Sequence, residues 1–194
     1  MKTLASFILP FLLLVVSCGD KAPKRIITDT PIKTEILGLK LCDISSEREV
    51  ERAISKASDT YVWTENQKMD SGFVVRVFAT MLPISYGGFS WHCVDVYLND
   101  SNKIVSVALS ASYESIDMAK EQFDAVAKVF TQKYGKANSD EEIHAVMWTD
   151  EINSVVLEYM ESASISGDDR CFCSLQYVNN DLFKALQKAN TPDI

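Results

Sequence analysis

Apolar positions along this 194-residue chain change their spacing several times, and each change marks an element. Leu37, Leu39 and Leu41 alternate with Gly38 and Lys40, a short opening strand over Leu37–Cys42. Ser46 and Glu49 then stand at capping-box spacing, and Val50, Ala53, Ile54 and Ala57 follow at three- and four-residue steps, one apolar face of a helix. After Ser58-Asp59 the period drops to two. Strands are predicted over Tyr61–Thr64, over Gly72–Leu82 with Pro83 closing it, over Phe89–Leu98, and over Ile104–Tyr113 beyond the turn Asn99–Asn102. In the third of these, Phe89, Trp91, Cys93, Asp95 and Tyr97 share one face, and Ser90, His92, Val94, Val96 and Leu98 the other. Ile116, Ala119, Phe123, Val126, Phe130 and Tyr134 return to helical steps, with Gly135 placed to end the helix. Three more strands are predicted near 143–149, 153–161 and 170–178, the last two separated by loop 162–169. Asn180 or Asp181 caps a final helix carrying Leu182, Ala185, Leu186 and Ala189 on one face.

The order is strand, helix, four strands, helix, three strands, helix. Short connections favour antiparallel meanders, and single apolar stripes favour helices buried on one side. The expected fold is α+β: a two-layer domain in which a curved antiparallel sheet carries its helices on one face. Helix-then-meander occurs twice, a hint of an internal pseudo-repeat. Over about residues 36–190 this order resembles the TATA-binding-protein-like fold and, more loosely, the beta-lactamase-inhibitor-protein-like group; the resemblance implies architecture and transfers no site residue.

The start of the chain follows another rule. Lys2 precedes an apolar run from Phe7 to Val16 that only Pro10 interrupts. That run is half the roughly 20 residues a membrane span needs, and it fits a secretory signal peptide over residues 1–17. Val15-Val16-Ser17-Cys18 resembles the lipobox of bacterial lipoproteins. The resemblance implies cleavage before Cys18, acylation of Cys18, and export to the bacterial cell envelope, with the lipid membrane as the first partner. Residues 18–35, with two Pro, three Lys and one Arg, are expected to be a lipid-attached tether, and residues 36–194 a single domain.

Composition narrows the function classes. Apolar residues are 47% and charged residues 24% of the chain, as in a globular protein. The formal charge of −8 disfavours a nucleic-acid partner, which calls for a basic surface. With Lys2 removed the mature charge is −9.

Beyond Cys18 four cysteines remain: Cys42, Cys93, Cys171 and Cys173. An exported compartment and an even count favour disulfides, each adding roughly 2–4 kcal/mol. Cys171 and Cys173 share a strand face and are too awkwardly placed to bond each other, so each pairs with Cys42 or Cys93, in one of two connectivities. Free buried thiols are the first alternative. A soft-metal site of Cys171, Cys173, Cys93 and His92 is the second, weakened because His92 faces opposite to Cys93. No metal or other cofactor is expected.

Other chemistry is sparse. His92 and His144 are the only histidines. G-x-S-x-G, H-E-x-x-H, S-x-x-K and Gly-rich phosphate loops are missing. Glu141-Glu142 and Asp168-Asp169 read as solvated loop charge. Tyr61, Trp63, Phe89, Trp91, Tyr97, Tyr113 and Trp148 fall in strands, where they serve either the core or a binding face. Ser85–Trp91, with Gly87-Gly88 between aromatics, is the candidate partner-binding loop through Tyr86, Phe89 and Trp91. The expected function is a non-enzymatic envelope lipoprotein that binds another protein. A binder of a small ligand or glycan on an aromatic sheet face is the alternative, and a hydrolase with an unrecognised site comes third.

Overall fold

The structure is a computed structural model that describes residues 26–69, 71–140, 142–162 and 170–190. The signal peptide, Cys18, the outer part of the tether, Glu141 and Asp168-Asp169 lie outside the described residues. Among those described, the fold is mixed helix and strand: one large open antiparallel sheet with three helices.

A small hairpin opens it, β1 (Glu35–Ile36) and β2 (Leu39–Lys40). Its turn residues Leu37 and Gly38 both stand at positive φ, the conformation that matches a two-residue turn to strand twist. Helix α1 (Glu47–Ser58) follows, with the Glu49 carboxylate accepting from the Ser46 N–H and hydroxyl, each at 2.7 Å. Strands β3 (Val62–Met69) and β4 (Gly72–Ala79) pair next. A Cβ at Gly72 would lie 2.1 Å from the Leu98 carbonyl oxygen, and its φ is +131°, so this close approach requires glycine. A separate hairpin, β5 (Ile84–Tyr86) and β6 (Phe89–Trp91), turns on Gly87 and Gly88, both at positive φ. Then come β7 (Cys93–Leu98), β8 (Ile104–Tyr113) and α2 (Ile116–Tyr134). Ser115 Oγ accepts from the Met118 N–H to start α2, and the Gly135 N–H donates to Thr131 O at its end. Strands β9 (Asn138–Asp140), β10 (Ala145–Thr149), β11 (Asn153–Ser162) and β12 (Arg170–Asn179) lead to α3 (Asn180–Asn190).

The eight-stranded sheet runs β3-β4-β7-β8-β12-β11-β10-β9, antiparallel throughout. It consists of two four-strand meanders, each preceded by a helix, that meet along β8 and β12. The helix-then-meander pattern of the sequence is therefore visible as a pseudo-twofold.

One sheet face carries Val94, Val107, Leu109, Leu157, Leu175 and Tyr177 into the main core. Helix α1 adds Val50 and Ile54, and α2 adds Val126, Phe130 and Tyr134. Val74, Tyr97 and Val178 alternate with those core positions, so they point to the other face, and they pack with Phe183, Leu182 and Leu186 of α3. The expectation that all helices lie on one face is thus corrected for α3. Its stripe was right, but a stripe does not say which sheet face it meets.

The expected tether also needs revision at its inner end. The Thr28 N–H donates to Thr149 O at 2.8 Å, and the Ile32 N–H to Asp150 Oδ2 at 2.7 Å. Ile26 and Asn138 exchange two hydrogen bonds, both 2.9 Å. From Ile26 onward the chain is docked on β9 and β10, because these bonds and the buried Ile32 hold it there. No helix among the described residues is long and apolar enough to cross a membrane.

Candidate docking face

The candidate loop is built into the core. Trp91 is fully buried and its indole N–H donates to Tyr86 O at 3.1 Å. Tyr86 is half-buried; its hydroxyl donates to the Tyr177 hydroxyl at 3.1 Å, and the rings meet edge to face. Burial pushes both phenols above their ordinary range. Phe89 is half-buried against the same core. Trp91 is therefore withdrawn from the candidate surface, and Tyr86 and Phe89 serve mainly to seat the hairpin. The reason is a break at His92: β6 pairs only with β5, whereas β7 joins the large sheet, so Trp91 and Cys93 no longer share a face.

No disulfide joins Cys42, Cys93, Cys171 and Cys173 among the described residues. The disulfide expectation is corrected, and register explains why. Cys173 and Cys171 are buried opposite Ala111 and Tyr113 on the core face. Cys93 lies opposite Ser110 on the other face. Cys42 bonds through its N–H to Ile104 O, while Cys171 faces Tyr113, the far end of β8, about 30 Å away by strand rise. Desolvation pushes the Cys173 thiol up to about 12 and raises Cys42 and Cys93 as well, so these three keep their protons at neutral pH. No three His, Cys, Asp or Glu side chains gather as metal ligands among the described residues.

The two histidines lie apart. His92 is exposed, and its Nδ1 accepts from the Ser112 N–H at 3.1 Å. His144 stacks on Tyr159 with centroids 4.8 Å apart and borders a hollow of about 260 Å³ with Glu142, Glu158 and Glu161. Among the described residues, no Ser, Thr or Cys lines that hollow.

Four of the exposed large apolar side chains fall together at one end of β3 and β4. Tyr61 is 80% exposed, Met81 81%, Leu82 65% and Trp63 49%. Hydrogen bonds bring them together: the Thr80 N–H donates to Tyr61 O, and Thr60 Oγ1 donates to Leu82 O. Trp63 stacks on Phe78 with centroids 4.2 Å apart, which fixes one ring face and leaves the other outward. Strand register continues this row across the sheet as Cys93, Ser110, Ser174, Glu158, Ala145 and Asp140. The next row holds Arg76 and Asp95 in a bidentate ion pair, 2.7 Å at both contacts, with side chains 14% and 16% exposed. Its hydrogen bonds with Asp95 hold the guanidinium more firmly charged, and the fork is rigid. Alternation in the sequence identified Tyr61 and Trp63 as strand aromatics. Met81 and Leu82 were missed because they read as the end of β4, with Pro83 as the only sign of a chain leaving the sheet.

β3 is the terminal strand of the sheet, so one side of its eight-residue backbone has no strand partner among the described residues. An exposed edge bordered by an apolar cluster can take an added strand, with main-chain bonds for affinity and side chains for selection. No family model, no curated protein and no solved structure matches this chain.

Proposed function

We propose that this chain is a non-enzymatic accessory protein of the bacterial cell envelope, tethered by lipid at Cys18, that binds another protein at the open β3 edge. The carrying observation is the exposed cluster of Tyr61, Trp63, Met81 and Leu82 beside that edge. Four large apolar side chains in one place are costly to leave in water, and aromatic anchors of this kind dominate protein interfaces. The occupant is an extended partner segment that lies along β3 and sets an apolar side chain against Trp63. The helix placement supports this: α1 and α2 cover one sheet face and leave the Trp63–Phe78 row on the other, where α3 packs at Val74, Tyr97 and Val178. Membrane attachment rests on the lipobox resemblance at Val15–Cys18.

The test is capture from gently solubilised membranes by the full chain. The native chain and a Glu121→Gln control on α2 retain one stoichiometric partner, and Trp63→Ser with Met81→Ser loses it. Photo-crosslinkers placed along β3 capture that partner at alternate positions. Undiminished capture by the double variant overturns the reading.

A further inference from the structure

Helix α1 presents a second feature. Its inner face, Val50 and Ile54, is buried, and it packs against β2, β3, β4 and β5. Directly opposite, Arg48, Arg52 and Lys56 are exposed at i, i+4 and i+8, three cations in one stripe. None of them forms an ion pair with a carboxylate among the described residues. Glu49, on one flank, is held low mainly by its bonds to Ser46, with a lesser pull from Arg52. The stripe borders a shallow hollow of about 510 Å³ with Ser55 and one acid, Glu51. Like charges at this spacing oppose the helix that carries them, and the chain as a whole is at −8. Helix α1 also carries Glu47, Glu49 and Glu51, so its charge sums to zero, but the three cations are gathered on the outward stripe, and that stripe is complementary to an anionic surface.

We infer that the back of α1 rests on anionic phospholipid headgroups. Arg48, Arg52 and Lys56 contact their phosphates, as short basic surfaces beside a lipid anchor do. The inference rests on the lipid-anchored reading for the presence of a membrane nearby. It also orients the domain. Val62 faces the α1 side of the sheet and Trp63 the other, so laying α1 on the lipid turns the Trp63–Phe78 row away from it, toward a partner.

The test uses the full chain on vesicles of phosphatidylcholine alone or mixed with phosphatidylglycerol, with amide hydrogen exchange read peptide by peptide. The expected result is several-fold slower exchange across α1 on the mixed vesicles only. Near-molar salt removes this protection, because the screening length falls to about 3 Å. Arg48→Gln/Arg52→Gln/Lys56→Gln also removes it, and Arg48→Lys/Arg52→Lys keeps it. Circular dichroism confirms that the variants are folded. Sedimentation with both vesicle types but no α1 protection overturns the stripe and leaves the anchor standing. Sedimentation with the mixed vesicles alone, lost in the triple Gln variant, supports the stripe and overturns the anchor. Sedimentation with neither overturns both, and α1 protection that appears only with a captured protein overturns the lipid assignment.

Discussion

The two meanders share one topology and treat their edges in opposite ways. The second half ends in β9, only three residues long, and the Ile26–Thr28 segment straps it through Asn138 and Thr149. The first half ends in β3, eight residues long, with no strap among the described residues. The outer face follows the same division. Arg76 and Asp95 on β4 and β7 occupy the places that Met147 and Val156 hold on β10 and β11. Trp63 and Phe78 stand where the second half has Asp140 and Ala145. Cys93 and Glu158 are counterparts in one row, flanking Ser110 and Ser174. A closed half supplies stability and an open half supplies surface, as proteins that protect their strand edges lead one to expect of an edge left bare.

The sharpest break would come from the tryptophans. Trp148 belongs to the closed half, is fully buried, touches Phe130, and donates its indole N–H to Gly135 O at 3.1 Å. Trp148→Ala should cost about 3–5 kcal/mol in a urea unfolding series. A cost below about 1 kcal/mol would show that the second half is no anchor.

Glu158 gives the next largest effect, with a sign set by pH. Desolvation alone raises its carboxyl from 4.5 to about 7. A raised acid favours the fold while protonated, so its contribution is fully present below about pH 4.5 and is lost as pH rises through 7. Converted at 1.36 kcal/mol per pH unit, the loss is about 3 kcal/mol as an upper bound. Glu158→Gln should therefore be more stable than the native chain at pH 8 and equal to it at pH 4. Equal stability at both pH values would place Glu158 in water and break its match with Cys93, whose thiol is also raised by burial.

Local signals were legible in the sequence, and pairing was not. The span of α2 follows from its apolar steps and Gly135, because a helix makes its own hydrogen bonds. Strand β9, three polar residues, has no periodicity to read and exists because β10 pairs with it. Trp91 was assigned to the wrong face because alternation from Phe89 to Leu98 runs unbroken in sequence, while the chain changes sheets at His92. The cysteines looked bondable because their distance depends on the β8–β12 register, which joins residues about sixty apart. Of the docking face, the aromatics were visible as types. Their exposure was not, since it follows from β3 being last in the sheet.

Trp63 gives the smallest effect on stability and the most informative one on function. Its ring is half exposed and rests on Phe78 alone among the described aromatic pairs, so Trp63→Ala removes one stack and little buried area. The expected cost is about 1 kcal/mol or less. At an interface the same truncation removes an anchor, and a loss of at least tenfold in partner affinity, about 1.4 kcal/mol, is expected. Stability and affinity should therefore separate at Trp63, while at Trp148 they fall together because the fold itself is weakened. Measuring both on purified variants decides the matter. If Trp63→Ala weakens the fold as much as Trp148→Ala does, the open half is also structural and the division between the halves fails. If it changes neither quantity, the β3 edge is not where the partner binds.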